Sequence, residues 1–343
     1  MASLPFIIVD VFSTTPYKGN PLAVVNALDN TTLTDTQMKL ITRQFNLSET
    51  TFFFPPTLPN ADYKLRSFLP YGWEVYGAGH NILGVWWHLA NSGLLDFSNP
   101  DQVDPEARTE EFTFHQELGG EVIPVKVTRK IDSAGGPPTF TIAIRQASPK
   151  AHAVHNDAAA LAAVLGLKAS DIGYPTTHDA QALPQIMSTS TTHHLLVPVK
   201  SVEALDRAVV SRDKLVEQLD LLDSRAHGIF WFTPVASGSA SGDALTLQAR
   251  FYSRGMTAED PATGSAAGPL SAYLYKNGLL KLAEGKGKVL VYQGLKLGRE
   301  CVIEVRLTAQ TVGAEEVLEV DIVGGGAQVA KGEIVIPAHS TAF

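Results

Sequence analysis

The sequence predicts an α/β (α+β) protein of two pseudo-symmetric domains, each with a sheet curled around one central helix. Three observations carry this. The segments GHNILGVWWHLANSGLL at 79–95 and GSAAGPLSAYLYKNGLL at 264–280 superimpose without a gap at an offset of 185 residues. Both read as helices apolar on most faces, the pattern of a helix buried inside a wrapping sheet. Elsewhere, β-branched runs punctuated by Gly and Pro read as strands. The match extends upstream, with Glu74 on Glu259 and Arg66 on Arg250 once one loop residue is allowed. A single repeat at this distance is not a solenoid but a duplicated half-molecule.

In chain order, residues 6–12 and 21–27 form a strand pair across the turn-rich STTPYKGNP. Asp35–Phe45 is a helix that Thr34 caps, and Thr50–Phe54 is a strand ending at Pro55 and Pro56. In each repeat a glycine and a short polar residue begin the helix, and Gly93 or Gly278 closes it. Leu89 and Leu274 take equivalent core positions. The N-terminal half is expected over 1–127, completed by the closing strand VAKGEIVIP within 329–343, and the C-terminal half over 128–328. ASGSASG at 236–242 reads as a surface loop, glycines 324–326 as a turn, and Cys301 as a core residue of a half-buried strand.

Composition bounds the function. A chain of 343 residues with 45% hydrophobic content can bury two cores of middling size. A net charge of -8 without a dense basic run argues against nucleic-acid or anionic-membrane surfaces, so an anionic ligand must be held locally. The single cysteine excludes an intramolecular disulfide or a thiolate zinc site, and a cytoplasmic location is expected. MASLPFIIVDVF, interrupted by Asp10, reads as a first strand rather than a signal peptide. No apolar run approaches the roughly 20 residues of a membrane span.

Helix starts leave amides unpaired and carry partial positive charge, so two of them converging on one cleft would hold a carboxylate. The candidates are Gly79 with His80 and Gly264 with Ser265, although simple capping would also account for these pairs. Glu49, at the entrance to an apolar strand, is a candidate base if desolvation raises its pKa, and a solvated or capping carboxylate otherwise. Asp260 precedes Pro261 in EDPATGSA, where Gly264 lets the backbone approach a ligand.

Other patterns fail. GAGHNILG lacks the third glycine of GxGxxG, no Walker A occurs, and GSASG has alanine where a nucleophile elbow needs serine. His193 and His194 are adjacent in a strand, point to opposite faces and cannot readily share a metal, so they read as structural.

DVFSTTPYKGNPLAVV, FNLSETTFFF, AGHNILG and EDPATGSAAGPLSAYL together resemble the PhzF family, with QGLKLGRE and VGGGAQVAKGEI resembling its closing segments. The resemblance spans nearly the whole chain. It implies a diaminopimelate epimerase-like fold, an active site in the cleft between the halves, a homodimer, and no metal or organic cofactor. It carries a proton-moving role to Glu49 and nominates His80 and Asp260 as catalytic. It nominates Gly79, His80, Asn81, Asp260, Gly264, Ser265 and Ala266 for binding a small anionic metabolite. The epimerases of this fold use two opposed cysteines, which this chain lacks there. EVYGAGHN departs from the family pattern, in which a proline follows the histidine and a phenylalanine precedes the alanine. The expected function is isomerisation of a small carboxylated, cyclic or conjugated metabolite. A lyase or hydrolase using the same cleft, or a non-catalytic metabolite-binding protein, are the alternatives.

Overall fold

A computed structural model describes residues 2–30, 32–77, 79–175, 181–189, 192–235, 244–256 and 258–343. The chain divides into two compact units, residues 1–144 with 323–343, and residues 145–322.

The first unit begins with β1 (Ser3–Val11) and β2 (Asn20–Asn26), an antiparallel pair. Helix α1 (Asp35–Phe45) starts at Thr34 with a full capping box, in which Thr34 Oγ1 accepts from Gln37 N and Gln37 Oε1 accepts from Thr34 N. Strands β3 (Thr50–Phe54), β4 (Tyr63–Phe68) and β5 (Glu74–Val75) lead to α2 (His80–Asn91). Then follow β6 (Gln102–Asp104), β7 (Thr109–Leu118), β8 (Glu121–Lys130) and β9 (Thr139–Gln146). The chain stays in this unit past residue 127 because β8 continues to Lys130 and pairs antiparallel with β9.

The second unit holds β10 (Lys150–Val154), α3 (Ala158–Leu165), the short pair β11 (Tyr174–Pro175) and β12 (Gln181–Ala182), β13 (Gln185–Thr189) and β14 (Thr192–Pro198). It continues with α4 (Val202–Arg207), α5 (Arg212–Leu222), β15 (Ala226–Pro234), β16 (Ala244–Ser253) and α6 (Gly264–Lys276). Strands β17 (Lys286–Gln293), β18 (Cys301–Val312) and β19 (Glu315–Gly324) complete it, β19 running into the first unit at Val323. The chain then returns as β20 (Gly326–Val335), antiparallel to β1 from Ser3 opposite Val335 to Val11 opposite Gly326.

The two units repeat one pairing pattern. In the first, β1 is antiparallel to β2, β2 parallel to β3, β3 antiparallel to β4, β4 parallel to β7 and β7 antiparallel to β8. In the second, β13 through β18 pair in the same alternation of senses. Each sheet packs on its own helix, α2 against β1, β2, β3, β8 and β20, and α6 against β13, β14, β17 and β18. Burial explains the apolar composition of both helices, for Trp86, Leu89, Leu270 and Leu274 are all fully buried. The indole of Trp86 meets its polar requirement by donating to Gln116 Oε1 at 2.9 Å.

Both helices end in the same Schellman closure. Leu94 N bonds Leu89 O at 3.0 Å and Leu279 N bonds Leu274 O at 2.8 Å, with Gly93 and Gly278 at φ of +70° and +71°. Cys301 is buried at the head of β18. The glycines 324–326 differ from the expected turn, since Gly324 ends β19 and Gly326 opens β20. Their missing side chains make room for neighbours, because a Cβ on Gly324 would fall 2.5 Å from the Phe12 ring and one on Gly326 2.9 Å from Trp87. The segment 236–242 lies outside the described residues, and no described helix is long and apolar enough to cross a membrane.

Candidate functional site

In the first unit the sequence brings two candidates together. Glu49 lies just before β3, and His80 is the first residue of α2 with Gly79 at the cap position. Glu49 Oε2 stands 3.2 Å from His80 Nε2, with side-chain exposures of 20% and 8%. Burial pushes the Glu49 carboxyl up from its ordinary 4.5 to about 7, because desolvation penalises the charged form. A group tuned this way populates both protonation states near neutrality, as proton transfer requires.

The loop that delivers His80 is pinned from below. Arg66 on β4 donates from Nε and Nη2 to the two Glu74 oxygens at 2.8 and 2.6 Å, and from Nη1 to Asp35 at 2.8 Å. Asn81 is buried and donates from its amide to Ser67 Oγ at 3.0 Å and Gly77 O at 3.5 Å, so here it ties the loop to the sheet. Ser67 in turn shares a 2.6 Å hydrogen bond with Thr51.

The second unit repeats the clamp. Arg250 on β16 forks onto both Glu259 oxygens, and its Nη1 donates to the carbonyls of Leu205, Asp206 and Ala208 at 2.6, 3.2 and 3.0 Å. Asp260, half-buried, follows directly and accepts from Thr263 Oγ1 at 2.6 Å. Gln293, fully buried at the end of β17, accepts from Thr263 N at 3.0 Å and donates to Thr263 Oγ1 and to Asp260 O. This chain of bonds fixes the carboxylate of Asp260 through residues that sequence spacing did not single out. Only the resemblance of QGLKLGRE gave Gln293 any signal.

Helix α6 begins at Gly264, with Thr263 as its cap residue, and Ser265 and the buried Ala266 follow in its first turn. Gln146 donates from Nε2 to Gly264 O at 3.1 Å. Ser265 Oγ lies 3.0 Å from Nε2 of His194 on β14. His193, its neighbour, faces the opposite way and meets Asp223 at 2.8 Å, so the two histidines do part to different faces. Sequence reading assigned His194 a structural place and missed its contact with Ser265. The cap positions are held by Gly79 and Thr263, neither of which makes a side-chain cap hydrogen bond, and His80 and Ser265 stand as the first and second residues of their helices.

A fold built by duplication carries, in its first unit, a buried carboxyl poised near neutrality beside a histidine, an arrangement able to move protons. Comparison with known proteins gives it a family and a class. The family described as phenazine biosynthesis-like protein matches residues 9–332. A trans-2,3-dihydro-3-hydroxyanthranilate isomerase of Pseudomonas fluorescens is 27% identical over 96% of this chain and 99% of its own. A protein of Pasteurella multocida named an uncharacterized isomerase is 30% identical over 96% of this chain and 94% of its own. The crystal structure of a PhzF-family protein of Bacillus anthracis superimposes with a TM-score of 0.77, covering 98% of this chain and all of that one, at 23% identity. The chain belongs to the phenazine biosynthesis-like, or PhzF, family and is an isomerase of that kind.

Proposed function

We propose that the protein is a cofactor-independent isomerase that moves a proton by general acid/base chemistry on a small carboxylated, cyclic or conjugated metabolite. The observation that carries this reading is the Glu49 carboxyl, desolvated to a pKa of about 7 and set 3.2 Å from His80. As carboxylate, Glu49 takes a proton from a carbon of the substrate, and the C–H electron pair enters the conjugated system. The double bond shifts, and the protonated Glu49 returns the proton to a different carbon. His80 orients the substrate beside this carboxyl. Asp260, held by Thr263, accepts from an amino or hydroxyl group of the ligand. Ser265, with the amides that follow Gly264, binds a carboxylate. A dihydro-hydroxyanthranilate, which the Pseudomonas relative's name specifies, has the acid, the ring and the conjugation this chemistry requires. The family resemblance adds a homodimer, for which light scattering on the purified chain is the check, and composition adds a cytoplasmic location.

The test is incubation in deuterium oxide with a panel of small carboxylic acids that includes trans-2,3-dihydro-3-hydroxyanthranilate, followed by NMR. Carbon-bound deuterium uptake or double-bond migration is expected, and Glu49→Gln should abolish turnover by at least about 100-fold while ligand still binds. Turnover that survives in Glu49→Gln would remove Glu49 from the mechanism. Cleavage products without exchange would make the protein a lyase or hydrolase.

A further inference from the structure

We infer that His194 is a positioning residue that donates its Nε2 proton to Ser265 and so fixes the serine hydroxyl as a donor aimed at a substrate carboxylate. The inference rests on the reading above, in which Ser265 meets the acid group, and specifies how it does so.

His194 is buried on β14, with its Nε2 3.0 Å from Ser265 Oγ. Its ring packs edge-to-face with Phe251, centroids 5.2 Å apart, and Nδ1 meets no hydrogen-bond partner among the described residues. Burial, with His227 and His193 nearby, drives the ring's pKa down to about 3 and keeps it neutral. A neutral imidazole has one N–H and one bare nitrogen. Were the proton on Nδ1, a buried donor would be left without an acceptor, the rarer and costlier kind of orphan. With the proton on Nε2, the N–H is satisfied by Ser265 and only a lone pair goes unmatched.

The consequence falls on Ser265, which is half-buried and whose hydroxyl has no other hydrogen bond among the described residues. Its oxygen accepts from the buried side, so its own O–H turns toward the accessible side and offers a donor. Such a hydroxyl selects an anionic oxygen over a group that must itself donate. A protonated Nε2 cannot also take the serine proton, so this pair is not a nucleophile with its base. Ser265 thereby serves recognition, and a serine-hydrolase use of the same residues is excluded.

Nitrogen-15 NMR on the full-length, histidine-labelled protein reads the tautomer directly, with the His194 signals assigned by their loss in His194→Gln. A protonated Nε2 and a bare Nδ1, unchanged between pH 5 and pH 8, are expected. A protonated Nδ1, or a ring that titrates in that range, overturns the inference. The ligand side is read by calorimetry with 3-hydroxyanthranilate, the aromatic and unreactive counterpart of the relative's named substrate, and with its carboxamide. Ser265→Ala and His194→Leu should each weaken the acid about tenfold, the carboxamide less, and the double variant little more than either alone. His194→Gln, whose amide N–H reaches the same place, should recover most of the loss. Equal losses for acid and carboxamide, or no recovery with glutamine, overturn the positioning role. If the unaltered protein binds neither compound, the substrate class fails instead, and the tautomer measured in the free protein still decides the inference.

Discussion

Glu49 shows how one side chain couples chemistry to stability. Its carboxyl sits at about 7 when folded against an ordinary 4.5, so the folded state holds more protons than the unfolded chain between those values. Stability associated with this group is therefore fully present below pH 4.5 and is lost as pH rises through 7. The shift amounts to an upper bound of ~3 kcal/mol. Glu49→Gln should raise the melting temperature at pH 8 and leave it nearly unchanged at pH 4, a comparison that differential scanning calorimetry makes directly. A variant less stable than the parent at pH 8 would show that the ionised carboxyl is not a burden there. Activity should run the other way: turnover that begins with proton removal should climb with pH about a midpoint near 7, reporting the carboxylate fraction. Glu49 was legible in the sequence because it precedes an apolar strand within a family-like NLSET. His194 was not, since a histidine in an apolar strand looks the same whether its ring meets solvent, core or Ser265. Thr263 and Gln293 escaped for a related reason. They act on Asp260 through hydrogen bonds from a separate strand, and no spacing rule encodes that.

Among the elements, the paired arginine clamps are the clearest product of duplication. Alignment of the two repeat segments alone put Arg66 with Arg250 and Glu74 with Glu259, and in both units that arginine forks onto that glutamate just before the helix-start loop. The two clamps differ in setting. Arg250 is 8% exposed along its side chain and also serves three backbone carbonyls, whereas Arg66 is 23% exposed and is shared with surface Asp35. Arg250→Ala should accordingly cost about 3 kcal/mol and Arg66→Ala about 1 kcal/mol, by urea unfolding. Equal costs would mean that the carbonyl contacts add nothing. Helix α1 and both Schellman closures were readable for local reasons, since capping chemistry is written within a few residues of each end. The glycines 324–326 were misjudged for want of tertiary information. The requirement at Gly324 and Gly326 comes from Phe12, Val9 and Trp87, distant in sequence, rather than from the backbone's own geometry.

For the whole molecule, the sequence repeat foretold two related units, but strand order and pairing sense were beyond it, because parallel and antiparallel partners leave the same period-two pattern. The first unit is assembled from both ends of the sequence, with β1 lying between β2 and β20. A chain ended after Ile322 should lose that unit's cooperative unfolding, as the β20 side of β1 would be stripped of its ladder along Ser3–Val11. Limited proteolysis checks this: early cutting is expected in residues 1–144, and resistance equal to the parent's would show β20 to be dispensable. The same arrangement bears on synthesis. At roughly 5 to 20 residues per second, β1 leaves the ribosome some tens of seconds before β20 does. Throughout that interval β1 has one apolar strand edge open, whereas the second unit, contiguous in the chain, can close once Ile322 has emerged, a few residues ahead of β20. The order in which the halves mature is thus the reverse of the order in which they are begun, and the early half is the one that needs shelter from aggregation while it waits.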